Sequence, residues 1–349
     1  MFPEKMKALV LNRYSKLDYQ EFPTPEPGAD EVLIRVRACG ICGSDIHGWD
    51  GSTGRRQPPL VMGHEASGEI AAVGPRVERW QAGDRVTFDS MVSCGTCVFC
   101  RSGQINLCEN RRIVGVSPGE FRQHGAFAEF LALPARGIYA LPDGLSFEHG
   151  AMIEPVSIAV HAVQRVKISA GASAVVVGSG MIGLLVVQAL RWAGCSQVIA
   201  VDIDDKKLSL ARELGAHDTL RSDRGDPAAE IARLTGGQGA DFAFEVVGFT
   251  PTLDLAIRAV RKGGSVVLVG NLAPKTDFPL QLVIARELTL YGSCASAGEY
   301  PLSLDLISRG VIRVAPLISA VAPLAEGEAW FKKLSAPGAG GLMKVMLRP

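Results

Sequence analysis

Four cysteines crowd into the stretch SCGTCVFCRSGQINLC, Ser93 to Cys108, at the spacing C-x2-C-x2-C-x7-C. Soft sulfur donors this close along a chain can curl around one ion, and a tetrahedral zinc takes four of them. Cys94, Cys97, Cys100 and Cys108 together leave no position for water, so an ion held there is structural. An iron–sulfur cluster also takes four thiolates. Free packed thiols are the plainest alternative, but a loop carrying Gly and Ser is a poor place for core cysteines. A second region is mixed in its chemistry. CGICGSDIHGWD, Cys39 to Asp50, and GHEASG, Gly63 to Gly68, offer thiol, imidazole and carboxylate about twenty residues apart and flanked by glycines. Such a set lacks a fourth ligand, and a catalytic zinc needs that vacancy for water or substrate. Singly, each residue has an ordinary use: His64 as a hydrogen-bonded structural histidine, Cys39 as a strand residue. Together, beside a first metal loop, they read as a metal centre.

The third motif is VVVGSGMIG, in which Gly178, Gly180 and Gly183 form G-x-G-x-x-G, with Met181 and Ile182 in the turn. It follows an apolar strand and opens a helix, so the glycines allow a tight turn and bring a pyrophosphate onto the free N–H groups of the helix N-terminus. The next strand, QVIAVD, ends in Asp202, nineteen residues beyond Gly183, where a carboxylate bonds ribose hydroxyls and repels a 2′-phosphate. NAD is therefore favoured over NADP. An unrelated Gly-rich α/β turn is the bland alternative, and the strand–turn–helix context argues against it.

These motifs need elements to carry them. Over the first 155 residues, KALVL, EVLIRVRA, SGEIAAVG, DRVTF and AFAEFLAL read as short strands punctuated by Gly and Pro. The texture then alternates: AVVVG and a helix from Met181, QVIAVD and a helix through Leu208 and Leu214, DFAFEVV, a helix from Thr252, then SVVLVG and ELTLYGS. Doubly buried strands with intervening helices specify a parallel, doubly wound sheet. A helix from Pro301 to Arg309 and a last strand, LMKVMLRP, return to the first texture. The expected division is thus 1–155 with 293–349, and 156–292 inserted between them, in keeping with a 349-residue chain too long for one core.

Composition limits the partners. Lys plus Arg number 36 and Asp plus Glu 36, so no net field favours nucleic acid or an anionic membrane. The opening MFPEKMKALV lacks the apolar core of a secretory signal, and a cytoplasmic, reducing location is expected, where clustered thiols hold metal better than they form disulfides. Ala172 to Leu190 is an uncharged run approaching membrane-spanning length, but glycines at its middle read as a buried strand turning into a buried helix.

With its motifs in this order, the chain resembles the zinc-dependent medium-chain alcohol dehydrogenase family, and within it the polyol branch that includes sorbitol dehydrogenase, through ICGSDIHGW, PLVMGHEASG and IEPVSIAVHA. The resemblance implies a GroES-like, mainly β catalytic domain plus a doubly wound parallel-sheet (Rossmann) domain, with two zinc ions and NAD per chain. It makes Cys42, inside I-C-G-S-D, the catalytic-zinc cysteine, with Cys39 its neighbour. It draws His64 and Glu65 from G-H-E, and it has Glu154 of IEPVS complete the zinc environment directly or through water. Ser44 is implied as first proton acceptor, His47 as the next point of the relay, Asp45 as the group orienting His64, and Lys207 as a contact to the adenosine ribose. The implied reaction is oxidation of a secondary alcohol, a polyol or sugar alcohol first, in a pocket edged by loops around Trp49, Phe121 and Glu299. Where some sorbitol dehydrogenases carry an Arg-Tyr pair, this chain has GSCASAGEY, which leaves a small diol, L-threonine or a phosphorylated polyol as alternatives. Zinc-independent quinone or enone reductases share the architecture but lack both metal clusters. A zinc-loop binding module would need a basic, aromatic face near the loop, and Arg101, Arg111 and Arg112 are its only local hints, so no nucleic-acid partner is expected. Relatives are dimers or tetramers, and ELTLYGS offers an edge strand for a homo-oligomer.

Overall fold

A computed structural model describes residues 2–336 and 341–349. Two compact units emerge: Met1–Glu154 with Tyr300–Arg309 and Val314–Pro349, and Pro155–Glu299 with Gly310–Arg313. The second unit thus runs to Glu299 instead of 292 and takes in 310–313. Both extensions have local causes. Glu299 is paired with His161 at 2.7 Å, and the Gln188 amide bonds both the N–H and the carbonyl of Arg313, at 2.7 and 3.2 Å.

The first unit is mainly β. Its central strand, Glu31–Gly40, shows the period of two: Arg35 and Arg37 face solvent while Ile34, Val36 and Ala38 are buried. Among the described residues, its sheet runs in the order Ile138–Ala140, Arg85–Phe88, Glu65–Val73, Glu31–Gly40, Lys344–Arg348, Ile318–Pro323, with Phe130–Pro134 also on the central strand. A smaller sheet of Lys16–Pro23, Lys5–Arg13 and Leu60–Val61 accompanies it. Leu9, Val32, Ile34, Phe88, Phe127 and Phe331 belong to the core that these strands share. Two registers matter for the site. Gly40 pairs with Glu65 on one side and with Met346 on the other, so three segments distant in sequence lie side by side.

The second unit holds six parallel strands among the described residues, in the order Asp218–Arg221, Gln197–Asp202, Ser173–Val177, Ala240–Glu245, Val260–Leu268, Thr289–Gly292. Ser173–Val177 lies at the centre with Ala174 to Val177 all buried, which is why it reads as an unbroken apolar run. The uncharged stretch Ala172 to Leu190 resolves into that strand and the helix Met181–Trp192. No described helix is long and apolar enough to cross a membrane. IEPVSIAVHA, left without an element by the strand count, forms the helix Ile153–Gln164.

Candidate active site

The four-cysteine loop is held by its own backbone. Cys97 caps the short helix Val98–Arg101 and its sulfur accepts from the Cys100 N–H at 3.5 Å. The Cys94 sulfur accepts from the N–H groups of Thr96 and Cys97, at 3.5 and 3.4 Å, and the Cys108 sulfur from that of Cys94 at 3.2 Å. These donors favour thiolate: they draw Cys94 down to about 5, whereas burial pushes Cys108 up to about 11. All four sulfur atoms lie within 4.8 Å of one another, and Cys94 and Cys100 are 3.9 Å apart, far beyond a disulfide bond. Zinc–sulfur bonds of about 2.3 Å in a tetrahedron give sulfur separations of about 3.8 Å, so the loop fits that ion.

The mixed site is built differently. Cys42 stands at the N-cap of the helix Gly43–Trp49, and its N–H donates to Oδ2 of the buried Asp45 at 3.0 Å. The other oxygen, Oδ1, accepts from Arg56 Nη2 at 2.8 Å and lies 3.4 Å from His64 Nδ1. Burial disfavours the Asp45 carboxylate, but His64 and Arg56 outweigh it and hold the group well below the usual range. Burial likewise opposes charge on His64, and Asp45 overrides it, so the imidazole is held well above its ordinary value. A carboxylate on one nitrogen of an imidazole is the arrangement that orients a metal-binding histidine.

Glu65 opens the next strand, and its Oε2 accepts from Lys344 Nζ at 2.5 Å, with both side chains buried. Lys344 also donates to the Ile41 carbonyl at 3.1 Å. Burial opposes this ammonium, and Glu65 with Cys42 keeps it above its ordinary value. The pair meets across Gly40. A Cβ there would stand 2.5 Å from Glu65 Oε2 and 3.1 Å from Lys344 Cδ, so only glycine leaves the charges room.

The ligand atoms of Cys42, His64 and Glu65 lie within 4.8 Å of one another. Sulfur, nitrogen and oxygen donors in one trio, with Cys42 half-buried and His64 and Glu65 buried, fit a catalytic zinc with one position left for a substrate oxygen. Glu154, on the helix Ile153–Gln164, stands outside this close trio. Its Oε1 accepts from Ser90 Oγ at 3.2 Å, and burial pushes its carboxyl up to about 7 against the pull of His64. Ser44 Oγ is exposed, donates to the Cys42 sulfur at 3.3 Å and accepts from Arg56 Nη2 at 3.1 Å. His47 is half-buried in the last turn of the same helix. Of the expected pocket edges, Phe121 is half-buried, and Glu299 accepts from the Ala297 N–H beside its His161 contact. Trp49 is 7% exposed and packs edge to face on Phe331, which makes it core.

The second unit carries the glycine turn. Gly178 has φ +100°, and a Cβ on Gly183 would lie 1.8 Å from the Gly178 carbonyl, so the turn and the start of the helix touch. Gly180 differs. No chain atom lies within 4 Å of its absent Cβ, so the protein's own packing does not require glycine there, whereas a phosphate approaching the helix would. Met181 and Ile182 begin that helix, half-buried. Asp202 accepts from the N–H groups of Ser179, Ile203 and Asp204, at 2.7, 2.8 and 3.0 Å, which fixes its carboxylate at the strand end. Lys207 is half-buried on the helix Asp205–Glu213. Both donor sets and the glycine turn therefore suit zinc and a dinucleotide.

Sequence reasoning passed over three residues that shape this site: Arg56, Ser90 and Lys344. Only Lys344 left a trace, as a cation in the otherwise apolar LMKVMLRP before its exposed end.

Comparisons agree with this assembly. The chain matches the alcohol dehydrogenase GroES-like domain over residues 28–143 and the zinc-binding dehydrogenase domain over residues 182–309. It is 34% identical over 322 residues to sorbitol dehydrogenase of Bacillus subtilis (strain 168), covering 91% of this chain and 90% of that one. It is 36% identical over 323 residues to L-idonate 5-dehydrogenase of Vitis vinifera, covering 90% and 87%. Among solved structures it superposes, with TM-score 0.92 and 34% identity over 99% of this chain and 100% of the other, on a Sinorhizobium meliloti 1021 zinc-binding dehydrogenase bound to NADP. Metal-ligand clusters, glycine turn, two-unit architecture and relatives converge: the chain belongs to the zinc-dependent medium-chain alcohol dehydrogenase family, in its polyol, sorbitol dehydrogenase-like branch.

Proposed function

We propose that this enzyme oxidises a secondary hydroxyl of a polyol or sugar alcohol to the ketone, with NAD as hydride acceptor. The observation that carries the reading is the trio of half-buried Cys42 with buried His64 and Glu65, three unlike donors within 4.8 Å of one another. Zinc held by this trio supplies Lewis acidity to the substrate oxygen, and NAD on the glycine turn supplies the hydride acceptor. The chain's own residues handle the proton. Ser44 takes it from the substrate hydroxyl and passes its own toward His47, half-buried and in reach of solvent. Asp45 keeps the His64 ring in orientation, and Glu154 bounds the site from the Ser90 side. Cys94, Cys97, Cys100 and Cys108 hold a second, structural zinc.

Asp202 sets the cofactor preference, because its carboxylate bonds ribose hydroxyls and repels a 2′-phosphate, with Lys207 alongside the adenosine ribose. A second copy of the chain pairs along the edge strand Thr289–Gly292, near which Phe278, Leu280 and Ile284 are 45%, 57% and 65% exposed. The sorbitol and idonate activities named for the relatives support a polyhydroxylated substrate.

The test is a panel of sorbitol, xylitol, 2,3-butanediol, L-threonine and a polyol phosphate, followed by NADH absorbance, with zinc measured on the same sample. Fastest turnover on an unphosphorylated polyol, with two zinc ions per chain and NAD preferred to NADP, is expected. Preference for threonine, the diol or the phosphate would replace the substrate class, and zinc-free protein of full activity would reject the reading.

A further inference from the structure

Arg56 has no part in the reading above, yet it is 2% exposed while its neighbour Arg55 lies in solvent. A guanidinium withdrawn from water costs several kcal/mol unless its charge is met. Here one nitrogen meets two partners: Nη2 donates to Asp45 Oδ1 at 2.8 Å and to Ser44 Oγ at 3.1 Å. The side chain reaches them across Gly48, where a Cβ would stand 2.1 Å from Arg56 Cδ and 2.8 Å from Nε and Nη1. Glycine inside a helix is destabilising by about 1 kcal/mol relative to alanine. At this position it opens the path of the arginine.

The contacts constrain a hydroxyl. Because the guanidinium can only donate, it occupies one lone pair of Ser44 Oγ; the hydroxyl proton rests on the Cys42 sulfur 3.3 Å away until it is handed on toward His47, and the second lone pair is left to accept the substrate proton. We propose that Arg56 is a positioning residue for the oxidation: through one N–H₂ group it aims the Ser44 hydroxyl at the metal-ligand cluster and braces the Asp45 carboxylate that supports His64. Proton acceptor and histidine support are thereby locked to one another. The inference rests on the dehydrogenase reading, with Ser44 as proton acceptor.

In Arg56→Met, kcat should fall about 30-fold with KM changed less than about threefold, as expected for a lost proton-transfer geometry. Both zinc ions should remain bound, and added guanidinium ion should restore a measurable part of the rate. In a Ser44→Ala background the same substitution should cost less than about threefold more, because the two residues act as one unit. A rate within about threefold of wild type, loss of zinc, or a full additional loss in the Ser44→Ala background would each overturn the proposal. Gly48→Ala displaces the arginine while keeping Ser44 and Asp45, and serves if Arg56→Met does not fold. In crystals of zinc-loaded Gly48→Ala, Ser44 Oγ should leave the Cys42 sulfur. An unmoved hydroxyl would overturn the inference even in a protein that oxidises no alcohol, whereas inactive wild type with a moved hydroxyl would fault only the dehydrogenase reading.

Discussion

The two clusters of candidate metal ligands in the first unit are supported in opposite ways. Cys94, Cys97, Cys100 and Cys108 come from a single short loop, and backbone N–H groups support their sulfur atoms. Cys42, His64 and Glu65 come from separate elements, and each of the last two faces a buried charge: His64 meets Asp45 with Arg56 behind it, Glu65 meets Lys344. A closed cage needs only local geometry. A site that must keep a position open takes unlike ligands, and the charges they bring indoors have to be matched one by one.

The sharpest way to break this comparison is to remove one ligand from each cluster. Cys42→Ser should lower zinc from two ions to one per chain and turnover by about 10³-fold, about 4 kcal/mol of transition-state stabilisation, while NAD binding persists. Zinc analysis and NADH absorbance read both effects, and retained turnover would erase the distinction between the clusters. Next in size is the charge behind Glu65. Lys344→Met strands a buried carboxylate and should destabilise the protein by about 3–5 kcal/mol in urea unfolding, with Glu65→Gln in the same chain recovering most of the loss. No recovery would show that the lysine acts through packing alone.

Cys97→Ser should cost less, about 2 kcal/mol, or about 4–8 °C in Tm, and leave the rate per remaining catalytic zinc unchanged below the transition. A rate that falls in step with Tm would mean that the loop belongs to the chemistry. The smallest effect is expected in the second unit, where the contact of His161 with Glu299 has no metal role. Burial opposes the Glu299 carboxylate, but His161 and the Ala297 N–H outweigh it and hold it below its ordinary value. A carboxyl lowered by folding adds stability above its unfolded value and loses it as pH falls through the folded one. Glu299→Gln should therefore be less stable than wild type by about 1 kcal/mol near neutral pH, with the gap closing in acid. Denaturant titrations across pH would detect an unchanging gap, which would exclude the carboxylate as its source.

Legibility followed the same division. Cys94 to Cys108 and the turn at Gly178, Gly180 and Gly183 could be read because their partners lie within a few residues and spacing encodes the geometry. The main strands of both units and the helices between the parallel strands followed from apolar periodicity, with ends displaced by a few residues as at Thr250–Ala259 and Tyr300–Ser308, while the helix at Ile153–Gln164 was missed because its face is apolar nearly all round. Arg56 could not be told from Arg55 in GSTGRRQPP, since what separates them is the passage over Gly48. Trp49 looked like a pocket edge, and Phe331, far along the chain, draws it into the core. Glu154 follows the family pattern in sequence, yet only folding shows that Glu65 sits in the tight trio and Glu154 beside Ser90.

The bond between Glu65 and Lys344 joins residues 279 positions apart. At ribosomal rates of about 5–20 residues per second, the carboxylate leaves the peptidyl-transferase centre roughly 15–55 s before its counter-ion. Throughout that interval the nascent chain owns Cys42, His64 and Glu65 but not the cation that meets the last of them. The four-sulfur loop, complete within sixteen residues, faces no such wait. The ion pair that backs Glu65 can therefore form only when synthesis is nearly over and the last strand slots in beside Gly40, whereas the backbone support of the four-sulfur loop is complete long before.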